Sequence, residues 1–251
     1  MPLVKTRGIV LKVTNIGEAD RIITLFTDSL GKISALAHGA RKTNSKLMSS
    51  TGLFAYCEYV LYTGRNLYTV NQTEIIDSFQ SCLGDLYSLG YCSFMMELTD
   101  ALTQDGETND ELFMLLLKCM FLMKFADSDR ELLVLAYELK AVSLSGYMPN
   151  FDRCGVCGKR GDFKRFSIKL GGVVCDKCAG SDRSSSPLHP ASISVMRYLL
   201  SADVEKLKNV KVPPAVKKEL KRVLKDYTEY YLERDFKSIF FLDDVQNIEK
   251  M

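Results

Sequence analysis

Cys154 and Cys157 stand at Cys-x-x-Cys spacing within Asp-Arg-Cys-Gly-Val-Cys, and after 17 intervening residues Cys175 and Cys178 repeat it. Each short pair can fold into a tight knuckle, and the residues between can form a small hairpin that brings four sulfurs onto one tetrahedral ion. The spacing predicts one Zn2+ per chain held by four thiolates, with iron as another metal that four sulfurs accept. Paired disulfides or buried free thiols are the competing readings, and regular spacing in an intracellular chain weighs against both. A redox Cys-x-x-Cys usually stands once, at a helix start after a strand, and fits less well. Four sulfurs leave no open position for water, so the ion is expected to be structural. Gly155 and Gly158 can turn their amides toward sulfur, and Gly171 and Gly172 can serve the turn into the second pair.

A second kind of chemistry lies near the N-terminus. The stretch Gly39 to Gly52 is polar, bounded by glycine and basic, and no acidic residue falls between Ser29 and Cys57. Arg41, Lys42 and Lys46 can supply charge to phosphate there, while Thr43, Asn44 and Ser45 can donate neutral hydrogen bonds. A solvated loop whose lysines serve solubility reads equally well. Lys5, Arg7, Lys32 and Arg65 are the further N-terminal cations that could meet nucleic acid, and Tyr56, Tyr59, Tyr62 and Tyr68 could stack on bases or simply pack.

Several chemistries are absent from the sequence. It contains no Gly-x4-Gly-Lys-Ser/Thr loop for nucleotide phosphates, no Gly-x-Ser-x-Gly, no His-Glu-x-x-His and no His-x-Glu deaminase signature. His38 and His189 are the only histidines, and neither sits beside an evident nucleophile. His38 reads as a strand-end polar residue; His189 could replace a metal ligand, but four cysteines complete the site. No catalytic role is expected.

The elements that must position these groups follow from periodicity. Residues 3 to 13, Arg21 to Thr27, Lys32 to His38, Phe54 to Tyr62 and Leu67 to Val70 read as strands, with turns at Asn15-Ile-Gly17, Asp28-Ser-Leu-Gly31 and Gly64-Arg65-Asn66. Five short strands with one longer connection fit a small closed barrel of the OB type, and an SH3-like barrel would give a similar string. From Ser81 the period lengthens to that of a helix. One helix ends near Gly106, a second is capped by Asn109-Asp110 and runs to about Ala126, and a third starts at Asp127 to Asp129 and ends at Leu144. These three are expected to form a bundle, with Gly146-Tyr-Met-Pro149 leading into the cysteines. Gly180 to Pro187 reads as a polar linker. Helices resume at about Pro190 to Leu200 and after Pro213-Pro214, and Phe236 to Leu242 is an apolar end expected to dock on the bundle.

The fold class is thus α+β and multidomain: an N-terminal OB-fold β-barrel over 1–80, an all-α helical domain over 81–150 and 181–251, and a four-cysteine zinc knuckle inserted at 151–180. Charge follows the same division. Net charge is +3 over 1–80, −7 over 81–150, +4 over 151–189 and +2 over 190–251, so one acidic block separates basic regions suited to distinct partners. The N-terminus has no apolar h-region, and the longest apolar run, Leu112 to Phe125, is broken by Lys118 and Lys124. A cytosolic protein is expected, with Cys57, Cys82, Cys92 and Cys119 as reduced core thiols.

The order of these features resembles the bacterial RecO family of DNA repair proteins. The most specific pieces are the Gly39-Ala-Arg41-Lys42 loop, the Gly146-Tyr-Met-Pro-Asn-Phe-Asp-Arg lead into Cys154-Gly-Val-Cys157-Gly, and the late Glu-Arg-Asp-Phe-Lys-Ser-Ile-Phe-Phe-Leu. The resemblance implies a non-catalytic recombination mediator of the RecF pathway. Such a protein binds single- and double-stranded DNA, contacts RecR and the single-stranded DNA-binding protein SSB, helps to load RecA and anneals complementary strands. It also implies a cytoplasmic protein, nucleoid-associated during repair, without a membrane or a small-molecule substrate. Some family members lack the cysteines, which fits a stabilising ion. SSB proteins present an acidic C-terminal tail ending in an apolar residue. The helix from Val216 to Tyr231 is expected to offer it a groove from Leu220 and Leu224, rimmed by Lys217, Lys221 and Arg222. The alternative is a zinc-ribbon adaptor that binds protein alone.

Overall fold

Fourteen residues of unbroken strand open the chain. β1 (Leu3–Ile16) pairs along its first half with β4 (Tyr56–Tyr62) and along its second half with β2 (Asp20–Thr27), both antiparallel. A register shift between Val10 and Lys12 bends the strand at this handover. β3 (Gly31–Ala37) continues from β2, and β5 (Tyr68–Asp77) lies between β3 and β4, parallel to β3 at Ala35 and Leu36. The result in this computed structural model, which describes residues 2–65, 67–125 and 129–248 (side chains of 243 and 246–248 excepted), is a closed five-stranded barrel of order β1-β2-β3-β5-β4. This is the OB-like arrangement. Asn66, in the turn expected between β4 and β5, lies outside the described residues.

Alternation fills the barrel. Along β3 the residues at 33, 35 and 37 point inward, and Ile33, Ala35 and Ala37 join Val10, Ile23, Leu25, Cys57, Tyr59, Leu61 and Val70 in one core. The small residues of β3 leave space for the Tyr59 ring, which is fully buried.

Two compact units divide the chain: Met1–Lys124 with Lys237–Met251, and Phe125–Phe236. In the first, the barrel is joined by α1 (Leu86–Leu102), α2 (Asp110–Leu122) and α6 (Lys237–Ile248). The caps are those the sequence predicts for α2: the Leu112 amide donates to Asn109 Oδ1 at 2.9 Å. Phe113 on α2 meets Phe26 edge-on at 5.5 Å, fixing the helix to the barrel. The late apolar segment docks on α1. Glu97 accepts the amides of Lys237 and Ser238, each at 3.1 Å, and so caps the start of α6. Gly90 permits the approach, since a Cβ there would stand 2.5 Å from Leu242 Cδ2.

The second unit holds α3 (Arg130–Leu144), α4 (Pro190–Ser201) and α5 (Pro214–Leu232), with the cysteine segment between α3 and α4. Asp129 caps α3 through the Leu132 amide at 3.1 Å; the expected end of the second helix at Ala126 and start of the third at Asp127 fall outside the described residues. The division by compactness therefore falls between α2 and α3, whereas composition places α1, α2 and α3 in one segment. The packing of α3 on α4 and α5 accounts for this, while α6 packs on α1 and brings the chain's late residues back to the first unit.

Candidate metal centre and nucleic-acid interface

The cysteine segment folds as two knuckles on a small sheet. β6 (Arg165–Ser167) lies between β7 (Gly172–Val173) and β8 (Ser186–Pro187). The first knuckle closes with the Cys154 amide donating to Lys159 O and the Gly158 amide to Cys154 O, each at 2.9 Å. Gly158 takes φ +70°, a conformation that a side chain would strain. The second closes with the Cys178 amide donating to Cys175 O at 2.9 Å.

All four Sγ atoms lie within 4.8 Å of one another, and Cys157 Sγ and Cys175 Sγ are 3.9 Å apart. A tetrahedron with Zn–S bonds of about 2.3 Å requires sulfurs about 3.8 Å apart, so the four thiols could hold one such ion. Electrostatics point the same way. Burial raises the Cys154 thiol, yet hydrogen bonds from the amides of Cys175, Cys157 and Val156 outweigh it and bring the pKa down to about 6. Cys178 moves up to about 12, through hydrogen bonds with the thiol of Cys175, burial, and the other two thiols. A cluster that favours the first thiolate and resists the last is one that a cation completes. The amide that reaches Cys154 Sγ most visibly is that of Cys175, at 3.4 Å. Gly155 and Gly158 do not serve sulfur as expected: their amides go to Val173 O and Cys154 O instead. His189 stays out of the cluster and caps α4, accepting the Ala191 amide at 3.1 Å.

The segment expected as a linker, Gly180 to Pro187, is bound into the knuckle. Ser186 and Pro187 pair with β6, Arg165 Nε donates to Ser185 Oγ at 3.1 Å, and Asp182 accepts from Ser184. Serines read as linker residues because they bury no apolar area; here they serve as hydrogen-bond partners. Aromatic packing holds the knuckle to α5: Phe166 stacks on Phe151 at 5.8 Å and meets Tyr227 at 5.9 Å.

The basic stretch after β3 also differs from a free loop. Ala40, Ser50, Thr51, Phe54 and Ala55 are buried, and the chain from 39 to 55 closes one end of the barrel through successive turns. Tyr59 donates its hydroxyl hydrogen to Ser50 O at 2.7 Å, Thr73 donates to Ser50 Oγ at 2.8 Å, and Arg21 donates to Met48 O at 3.1 Å. Arg41, Lys42 and Lys46 stay on its exposed side. The Arg41 amide donates to Ala19 O at 2.8 Å, and Asp20 accepts from the Gly39 amide at 2.7 Å and pairs with His38 at 2.9 Å. Those partners, the Gly39 amide first and His38 second, hold the Asp20 carboxyl below its usual pKa.

The other candidate cations separate by their partners. Arg65 is exposed in the turn after β4. Lys5 pairs with Glu58 at 2.6 Å and Arg7 with Asp28 at 2.9 Å, yet both remain more than half exposed. Lys32 is unsuited to phosphate: its side chain is 14% exposed, and its ammonium donates to Asp100 O at 2.7 Å and pairs with Asp100 Oδ1 at 3.2 Å. Among the tyrosines, Tyr56 and Tyr59 are buried and unavailable for stacking, while Tyr62 is exposed and Tyr68 half-buried.

The α5 groove is not formed. Leu220 and Leu224 lie in the core at 0% and 2% exposure, and Lys217 is drawn to Asp129 at 2.8 Å and Glu131 at 3.4 Å. Arg222 is left on the exposed side with Asp226 at 3.6 Å, and Lys221 is half-buried. The amphipathic period marked a face to be buried, and it is buried. A groove of about 560 Å³ that sequence reading missed lies within the first unit, where Tyr56, Phe113, Met114 and Phe121 form an apolar floor between β1, β4 and α2. Arg7 and Lys118 stand at it, with Asp28 and Asp110. Its one signal in the sequence is the apolar excess of α2, which leaves Met114 and Phe121 exposed.

Among the described residues, no helix is long and apolar enough to cross a membrane. Family models described as the N-terminal and C-terminal parts of recombination protein O match residues 1–79 and 83–239. Over 233 residues the chain is 39% identical to the DNA repair protein RecO of Alkaliphilus metalliredigens, covering 92% of this chain and 95% of that one. It is 36% identical over 248 residues to the protein of the same name from a Thermoanaerobacter species, covering 99% and 100%. With that of Clostridium kluyveri it shares 37% identity over 251 residues, covering 100% and 97%.

Proposed function

The chain belongs to the RecO family of DNA repair proteins, and from that premise we propose that it is a non-catalytic mediator that binds single- and double-stranded DNA. The observation that carries the reading is the exposed basic edge of the barrel, where Arg41, Lys42 and Lys46 stand on a backbone pinned at both ends; Arg65 is a further exposed cation elsewhere on the barrel, in the turn after β4 at the start of β1. Phosphate contacts made by fixed cations hold a strand without reading its sequence, which is what loading and annealing require. Lys5 and Arg7 add partly neutralised charge, and Lys32 is left out.

In this role the protein acts in the cytoplasm with RecR and SSB, helps to place RecA on single strands and anneals complementary ones. The acidic, apolar-ended tail of SSB needs an apolar floor with cations nearby. The groove at Met114 and Phe121 supplies the apolar floor, with Arg7 and Lys118 beside Asp28 and Asp110, whereas the leucines of α5 are buried. Zn2+ bound by Cys154, Cys157, Cys175 and Cys178 would fasten the two knuckles to each other and supply on the order of 10 kcal/mol that so short a segment cannot gather by burial.

Anisotropy of labelled single-stranded DNA at two salt concentrations tests the reading. If about five phosphates are neutralised, a fourfold rise in salt weakens binding roughly a hundredfold. An adaptor that binds protein alone would show no DNA binding at either concentration.

A further inference from the structure

Tyrosines at 147, 230 and 231 come from two separate parts of the second unit and meet in a row. The rings of Tyr147 and Tyr231 are 5.5 Å apart at 45°, and those of Tyr231 and Tyr230 are 5.2 Å apart at 81°. Single exposed tyrosines are ordinary, but here the outer two are 37% and 50% exposed while in contact through the third.

The row is held from behind. Tyr227, buried at 2%, packs on Tyr231 at 4.6 Å and donates its hydroxyl hydrogen to Tyr147 O at 3.1 Å. Tyr231 donates to Lys169 O at 3.4 Å, and Gly171 lies so close beneath that a Cβ there would be 2.9 Å from the Tyr231 hydroxyl. The central Tyr231 ring and the backbone at Tyr147 are thereby held before any ligand arrives, which lowers the entropic cost of meeting them. Lys169 is exposed in the turn that carries this carbonyl. Glu233 and Asp235, exposed past the end of α5, oppose a purely electrostatic attachment.

We infer that Tyr147, Tyr231 and Tyr230 form a stacking platform for the unpaired bases of single-stranded DNA, with Lys169 beside it for phosphate. This rests on the reading of the chain as a DNA-binding protein. Every base has a π-face, so the platform accepts any sequence, and its contribution is insensitive to salt, unlike that of the barrel cations. An apolar peptide is the other class of ligand that an aromatic surface could take, and Met148 and Leu170 are exposed beside the row; the lysine and the three adjoining rings favour a polyanion with flat bases.

The test uses the full-length, metal-loaded protein with an oligo(dT) strand and an abasic strand of equal length. The chain has no Trp, so tyrosine emission gives a second signal. The double variant Tyr147→Ala with Tyr230→Ala should bind oligo(dT) about tenfold more weakly. It should bind the abasic strand as wild type does, keep its salt slope and show less tyrosine quenching. The corresponding double Phe variant, which keeps the rings, should bind as wild type. Undiminished oligo(dT) binding by the alanine variant would overturn the proposal. So would an equal loss on both strands, or a loss shared by the phenylalanine variant. If wild type binds neither strand, the DNA reading itself fails; if it binds both and the alanine variant is unaffected, only the platform fails.

Discussion

The Arg41 guanidinium donates to the carbonyl oxygen of Gly17 at 3.0 Å, tying the start of the β3–β4 connection to the tip of the β1–β2 hairpin. With the Arg41 amide on Ala19 O and the Asp20 carboxylate on the Gly39 amide, this makes the basic edge of the barrel a fastened surface. Fixed cations lose less freedom on meeting a phosphate chain than cations on a free loop.

Asp20 should therefore act through position. Asp20→Ala frees the Gly39 amide and His38, and single-stranded DNA binding should weaken severalfold with no change in the slope of log affinity against log salt. Salt titrations of variant and wild type check this. A changed slope would mean that Asp20 alters the number of phosphates held.

Removal of the metal should act on the second unit. Stripping zinc with a chelator, or substituting Cys178→Ser, leaves thiols without the ion that joins the two knuckles, and the melting temperature should fall by at least several degrees. Metal analysis should give one zinc per folded chain, released as acid protonates the thiolates. A stripped protein with unchanged melting would refute a structural ion.

Glu138 should tie stability to pH. Burial, with a smaller push from the Glu229 charge, raises its pKa to about 7 against a hydrogen bond from Thr228 that lowers it. Below the ordinary value of 4.5 the carboxyl is protonated in both folded and unfolded chains. Between 4.5 and 7 only the folded chain keeps the proton, so stability falls as pH rises through that window, by on the order of 3 kcal/mol in all. Glu138→Gln should flatten this decline, as melting curves from about pH 5 to 8 would show; an undiminished decline would place its origin elsewhere.

Lys217 should matter for stability and not for partner binding. Lys217→Ala removes the ion pairs with Asp129 and Glu131 and should cost about 1–2 kcal/mol, since it strips a half-buried carboxylate of its partner. An acidic, apolar-ended peptide should bind this variant as it binds wild type and should bind Met114→Asp more weakly. Peptide anisotropy with both variants decides; the opposite order would return the tail to α5.

The sequence was most informative where spacing is dictated by bonding. Four cysteines at knuckle spacing, caps at Asn109 and Asp129, and the strand read over Lys32 to His38 follow local rules, and each appears where it was read. It misled where a residue type serves two ends. The lysine at 217 and the leucines at 220 and 224 have the composition of a rimmed groove, but the same pattern is the inner face of a core helix. The serines between 181 and 186 read as linker because their partners, Arg165 and β6, are distant in sequence. The row of Tyr147, Tyr230 and Tyr231 was invisible for the same reason: Tyr147 is 83 positions from Tyr230 and joins it only when the knuckle and α5 pack.

The most direct test of the basic edge as the DNA surface compares wild type with the triple variant Arg41→Ala, Lys42→Ala, Lys46→Ala by anisotropy with single-stranded DNA over a salt series. Loss of three phosphate contacts should lower affinity at low salt and reduce the slope of log affinity against log salt by about 2, in a protein that stays folded at the assay temperature although the Arg41–Gly17 hydrogen bond is lost. A variant that keeps the wild-type slope would contradict the account.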